Sequence, residues 1–102
     1  MRLKAGERLK SVVGGGEFVV VKPATGEIDL RCAGRPVVAL DADVPEAAEI
    51  DPLHADGTAL GKRYVDVGSG LELLVTKAGQ GSLSTGDIPL QRKDAKPLPS
   101  SD

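Results

Sequence analysis

The sequence predicts an all-β fold, a small barrel or sandwich of about eight short strands built from two β repeats related by a pseudo-twofold axis, and three observations predict it. Runs such as Phe18-Val19-Val20-Val21 are aromatic and β-branched, the composition that suits a pleated, packed surface. Turn residues, chiefly glycine and proline, punctuate these runs at intervals of about 8–12 residues. Residues 6–29 also align without gaps on residues 61–84 at an offset of 55, with 8 identities in 24 positions. The identical pairs are Gly6/Gly61, Arg8/Arg63, Val12/Val67, Gly15/Gly70, Glu17/Glu72, Val20/Val75, Lys22/Lys77 and Gly26/Gly81. Leu9/Tyr64, Phe18/Leu73, Val19/Leu74 and Ile28/Leu83 keep apolar character without identity, so the burial pattern repeats as well as the letters.

The first unit, residues 6–40, reads as four strands. Arg8–Val13 leads through Gly14-Gly15-Gly16 to Glu17–Lys22. Pro23-Ala24-Thr25-Gly26 is a turn, because proline presets φ and glycine accepts a positive one. Glu27–Cys32 alternates with period two, which sends Ile28, Leu30 and Cys32 inward and Glu27, Asp29 and Arg31 to solvent. After Ala33-Gly34-Arg35, Pro36–Leu40 is the fourth strand, its proline placed at the start where the missing N–H costs least.

The second unit, residues 60–91, repeats the scheme with strands at Lys62–Val67, Leu71–Thr76, Ser82–Ser84 and Ile88–Gln91. Between the units, residues 41–59 form an acidic, Ala- and Pro-rich connector. Asp43-Val44-Pro45-Glu46 has the cap, proline and acid that open a helix, and Pro52 closes it, so a short helical turn is expected over Pro45–Ile50. Residues 1–92 make one β domain on this reading, and residues 93–102, with two prolines and little apolar content, a mobile tail.

Val21-Lys22-Pro23-Ala24-Thr25-Gly26-Glu27-Ile28, with Gly34-Arg35-Pro36-Val37, resembles the strand-turn pattern of lipoyl- and biotinyl-type domains, which also pair two β units about a quasi-twofold. The likeness covers less than a fifth of the chain. None of its lysines sits in the Met-Lys-Met type apex that such domains modify, so no function or site carries over.

Composition narrows the function. The chain has 102 residues, 13 basic and 15 acidic side chains, and a net charge of -2. With acids outnumbering bases and only Phe18 and Tyr64 as aromatics, neither duplex binding nor single-strand stacking is expected. No apolar stretch reaches membrane-spanning length and the N-terminus lacks a signal-peptide core, so no membrane partner and a cytoplasmic location are expected. A single cysteine, Cys32, excludes an internal disulfide.

Candidate chemistry is sparse. His54 with Asp51 and Asp56 is the candidate metal set, one imidazole near carboxylates in the acidic connector, although solvated connector charge explains the same residues. The Gly14–Gly16 run is followed by Glu17 and an apolar strand rather than by a helix, so it reads as a hairpin turn and not as a phosphate cradle. Cys32 falls on an inward position and reads as a small core residue. No G-x-S-x-G elbow or other catalytic signature appears, and no cofactor or catalytic residue is expected. The repeated charges Arg8/Arg63, Glu17/Glu72 and Lys22/Lys77 either pair across strands or discourage edge aggregation from a solvent face. The resulting expectation is a non-catalytic binding or accessory module that contacts a larger protein or itself. The alternative is a small-molecule- or metal-binding β-barrel, enzymatic or not, that uses His54 and the acidic connector.

Overall fold

The computed structural model describes residues 2–45 and 52–93. It is all-β and consists of two antiparallel sheets. In chain order the strands are β1 (Arg8–Lys10), β2 (Glu17–Lys22), β3 (Leu30–Cys32), β4 (Arg35–Pro36), β5 (Val38–Ala39), β6 (Arg63–Asp66), β7 (Leu71–Lys77), β8 (Leu83–Thr85), β9 (Ile88–Pro89) and β10 (Gln91–Lys93). The larger sheet runs β10-β6-β7-β2-β1-β5 and the smaller β4-β3-β8-β9. Among the described residues neither sheet closes on itself, so the architecture is two open sheets, not a closed barrel.

Each inward-facing position follows from the alternation in the sequence. Leu9, Phe18 and Val20 of β1 and β2 and Leu71, Leu73 and Val75 of β7 are at most 2% exposed. They meet Leu30, Cys32 and Leu83 of the smaller sheet in one cluster, closed by Leu3, Val37 and Leu90. Burying each large aliphatic or aromatic side chain contributes roughly 1.5–3 kcal/mol, and with one Phe the core rests on many such aliphatic terms. Ile28, the outermost of the three expected inward residues of Glu27–Cys32, packs against this cluster while only partly buried.

Among the described residues ten strands appear where about eight were expected, and the reason is local. The expected strand Pro36–Leu40 is broken at Val37, which is 1% exposed and whose N–H donates to the Leu30 carbonyl at 3.2 Å. The chain thereby leaves the smaller sheet after β4 and enters the larger one as β5. Leu90 does the same between β9 and β10, with its N–H on the Leu83 carbonyl at 3.0 Å. A buried apolar residue at each corner makes one run of sequence serve two sheets. The last strand reaches Lys93, one residue past the expected domain limit.

The Gly14–Gly16 run is the β1–β2 hairpin: Gly14 and Gly15 have φ of 79° and 82°, and the Ser11 N–H donates to the Gly16 carbonyl at 2.8 Å. In the connector, Pro52–His54 forms a 3-10 turn with the proline at its first position. The helical turn expected over Pro45–Ile50 lies, beyond Pro45, outside the described residues, as does the expected tail after Lys93. Among the described residues no helix is long and apolar enough to cross a membrane.

Candidate functional site

Three local arrangements hold the chemistry of the molecule. The first lies where the β6–β10 side of the larger sheet overhangs β8 and β9. Tyr64 and Arg92 are directly opposed in the β6–β10 ladder. With Asp56, Gly57, Ser82 and the apolar Leu83, Pro89 and Leu90 they line a cleft of about 400 Å³. The Tyr64 hydroxyl accepts from the Ala59 N–H at 3.1 Å, and the Ser82 hydroxyl accepts from the Asp56 N–H at 3.1 Å. Both hydroxyls therefore keep their own hydrogens to donate.

Tyr64 was visible in the sequence only as the odd partner of Leu9 in the repeat. In the first half the corresponding ladder pair is Leu9 opposite Ala39, with Leu9 at 1% exposure. Replacing that apolar pair by Tyr64 and Arg92 puts two long amphipathic side chains at the cleft. Arg92 and Ser82 carried no sequence signal, because their neighbourhood is created by the crossing of the chain between sheets.

The candidate metal set is placed only in part. Asp56 is exposed at the edge of this cleft, and His54 falls in the 3-10 turn. Asp51 and the His54 side chain lie outside the described residues. Among the described residues no group of three or more potential ligands converges.

The second arrangement is the charge system across the central β2–β7 ladder. Glu17 stands opposite Lys77 and Lys22 opposite Glu72. Four of the six repeated charges, Glu17, Lys22, Glu72 and Lys77, thus stand opposite one another across the ladder. Glu17 and Lys77 approach to 3.6 Å, both partly exposed. Glu72 is different, since its side chain is 3% exposed. Its Oε2 accepts from Arg63 Nη1 at 3.2 Å and its Oε1 from Lys93 Nζ at 3.1 Å. Burial, the largest single influence, pushes the Glu72 carboxyl up. The Lys93 hydrogen bond and the charges of Lys93, Lys22 and Arg63 together outweigh it and hold the group below its ordinary 4.5. A carboxylate kept ionised by several cations is a structural anchor rather than a proton donor.

The third is Cys32, 1% exposed on β3. Burial pushes its thiol up from 9.0, against a smaller lowering by the Ser11 hydroxyl. The thiol is therefore protonated at neutral pH and poorly nucleophilic, as its inward position in the alternation implied. A further depression of about 170 Å³ lies beside the β1–β2 hairpin, lined by Lys10, Ser11, Val12, Gly15, Gly16, Glu17, Val44 and Lys77. Glu17 contributes negative charge there beside the cations Lys10 and Lys77.

The chain matches no protein-family model, and comparison with curated proteins and with solved structures gives no match.

Proposed function

We propose that this protein is a non-catalytic binding or accessory module, a duplicated β domain that works by contacting a larger protein or a second copy of itself in the cytoplasm. The observation that carries this reading is that, among the described residues, the edges of both sheets are unpaired. The smaller sheet ends on β4 and β9, each containing a proline, Pro36 and Pro89, which blunts it against strand addition. The larger sheet ends on β5 and β10 without proline. β10, with Gln91, Arg92 and Lys93 all exposed, is the edge suited to receive a partner strand.

Support for the duplication comes from hydrogen bonds that recur at the sequence offset. Gly6 to Val20 and Gly61 to Val75, Val20 to Glu7 and Val75 to Lys62, and Thr25 to Ser69 and Gln80 to Gly14 are three such pairs at an offset of 55. Past the β2–β3 turn the offset becomes 53, as in Val37 to Leu30 and Leu90 to Leu83. Native mass spectrometry of the protein isolated from its own source tests the functional reading. Excess mass equal to a polypeptide, or a defined multiple of 10.5 kDa, is expected; a bare chain at micromolar concentration overturns it.

A second reading, a small-molecule or metal site in a β-barrel-like module, is favoured by the cleft beside Asp56, Tyr64 and Arg92. In the same spectra it demands a small excess mass that disappears with His54→Ala or Tyr64→Phe.

A further inference from the structure

The larger sheet has one face in the core and one face outside, and the strand registers assign the outer face residue by residue. Directly opposed residues in antiparallel strands share a face. Arg8 and Lys10 oppose Val19 and Glu17; these oppose Leu74 and Lys77; Lys22 opposes Glu72; Leu74 and Glu72 oppose Arg63 and Val65; and Arg63 opposes Lys93. Leu9, Phe18, Val20, Leu73 and Val75 take the other, buried face. The outer face therefore displays six cations, Arg8, Lys10, Lys22, Arg63, Lys77 and Lys93, and among the described strand residues two carboxylates, Glu17 and Glu72. All six cations are exposed except the half-buried Lys10.

Six minus two is +4 on the strands of this face, at whose margin Lys10 Nζ donates to the Ala42 carbonyl between Asp41 and Asp43, while the whole chain is -2 from 13 bases and 15 acids, so the remainder, 7 bases against 13 acids, carries -6. A mildly acidic composition conceals a polar distribution of charge. Both carboxylates are already engaged, Glu17 with Lys77 and Glu72 with Arg63 and Lys93. Between the cations sit the half-buried aliphatics Val19, Leu74 and Val65. Arg8 and Arg63 flank the Val19–Leu74 pair on strands roughly 14 Å apart, at about 4.8 Å per strand.

We infer that the outer face of the six-stranded sheet is a docking surface for an acidic polypeptide segment that carries interspersed aliphatic side chains. Charge complementarity identifies the occupant: carboxylates meet the cationic positions and aliphatic side chains meet the central stripe. A nucleic acid is the weaker fit, because the stripe is aliphatic rather than aromatic and the rest of the chain is strongly acidic. The inference rests on the accessory-module reading and names the partner's chemistry.

Fluorescence anisotropy of the full chain with a labelled peptide of about 12 residues, a repeat of Asp-Glu-Val, tests it, beside a duplex DNA and phosphatidylserine vesicles. The acidic peptide is expected to bind and to weaken as salt rises from about 50 to about 300 mM. Arg8→Glu is expected to weaken it about tenfold, a loss of about 1.4 kcal/mol. Lys22→Gln is expected to weaken it by a smaller factor, and Arg35→Glu on the other sheet, with the same charge change as Arg8→Glu, to leave it within about twofold. Circular dichroism confirms that each variant is folded. Equal losses in Arg8→Glu and Arg35→Glu overturn the proposal, since net charge alone then governs binding. Tighter capture of DNA or vesicles than of peptide overturns it in favour of those anions, and self-association abolished by Arg8→Glu does so in favour of a second copy. If no probe binds while native mass spectrometry still recovers a polypeptide, this inference fails and the accessory reading stands.

Discussion

Glu72 shows how a single buried charge is maintained. Arg63 and Lys93 reach it from the neighbouring strand and the edge strand, and Lys22 faces it across the central ladder. Its folded-state acidity lies below the ordinary 4.5. Its contribution to stability is thus complete above that ordinary value and is lost as pH falls through the lowered one. Glu72→Gln should cost about 1–3 kcal/mol at pH 7, towards the lower end because Arg63 and Lys93 are half exposed. It should also flatten the acid limb of a urea midpoint-against-pH profile. Glu17→Gln, which removes only the more exposed Glu17–Lys77 pair, should cost no more than about 0.5 kcal/mol at pH 7. An unchanged acid limb in Glu72→Gln would show that the surrounding cations do not hold this carboxylate. The repeat alignment had singled out both glutamates, but their unequal burial was not legible. It depends on which strand flanks each one, and that is set by sheet order.

At the scale of the elements, the turn after β3 and the approach to β8 meet at a place where a side chain has no room. Ala33 lies in the β3–β4 hairpin with φ of 58°, a left-handed value that costs a non-glycine residue about 1 kcal/mol. Its methyl group and backbone occupy the space that a Cβ on Gly81 would need; such a Cβ would stand 2.8 Å from the Ala33 nitrogen. The Ala33 N–H donates to the Ser82 carbonyl at 3.0 Å, which fixes this approach. Gly81→Ala should therefore lower the urea midpoint by the equivalent of about 1–3 kcal/mol, through strain rather than lost burial. A loss below about 0.3 kcal/mol would mean that the hairpin yields freely. Most strands were legible because alternation and turn chemistry agreed, as in Glu17–Lys22 against the observed β2. The corners at Val37 and Leu90 were not, since an apolar run reads alike whether it stays in one sheet or crosses to another. The cleft was hidden for the same reason: Tyr64, Ser82 and Arg92 meet only once β10 has crossed over.

Across the whole molecule, each half supplies strands to both sheets. β2 pairs with β7 and β3 with β8, so the centre of each sheet is a junction between halves. A fragment of residues 1–45 should accordingly give a coil-like far-ultraviolet dichroism spectrum and no cooperative melt, whereas the full chain should unfold in one transition. A cooperative transition in the fragment would show that a half can stand alone. The all-β class followed from composition and periodicity. Strand order and the one-sided distribution of charge did not, because register decides which side chains share a face. The central β2–β7 junction also bears on synthesis. Phe18-Val19-Val20-Val21 leaves the ribosome about 55 residues before its partner strand, a delay of about 3 to 11 seconds at ordinary elongation rates. Throughout that interval the segment of highest β propensity has β1 on one side and an open edge where β7 will pair, so the nascent chain is most prone to aggregate before its second half exists.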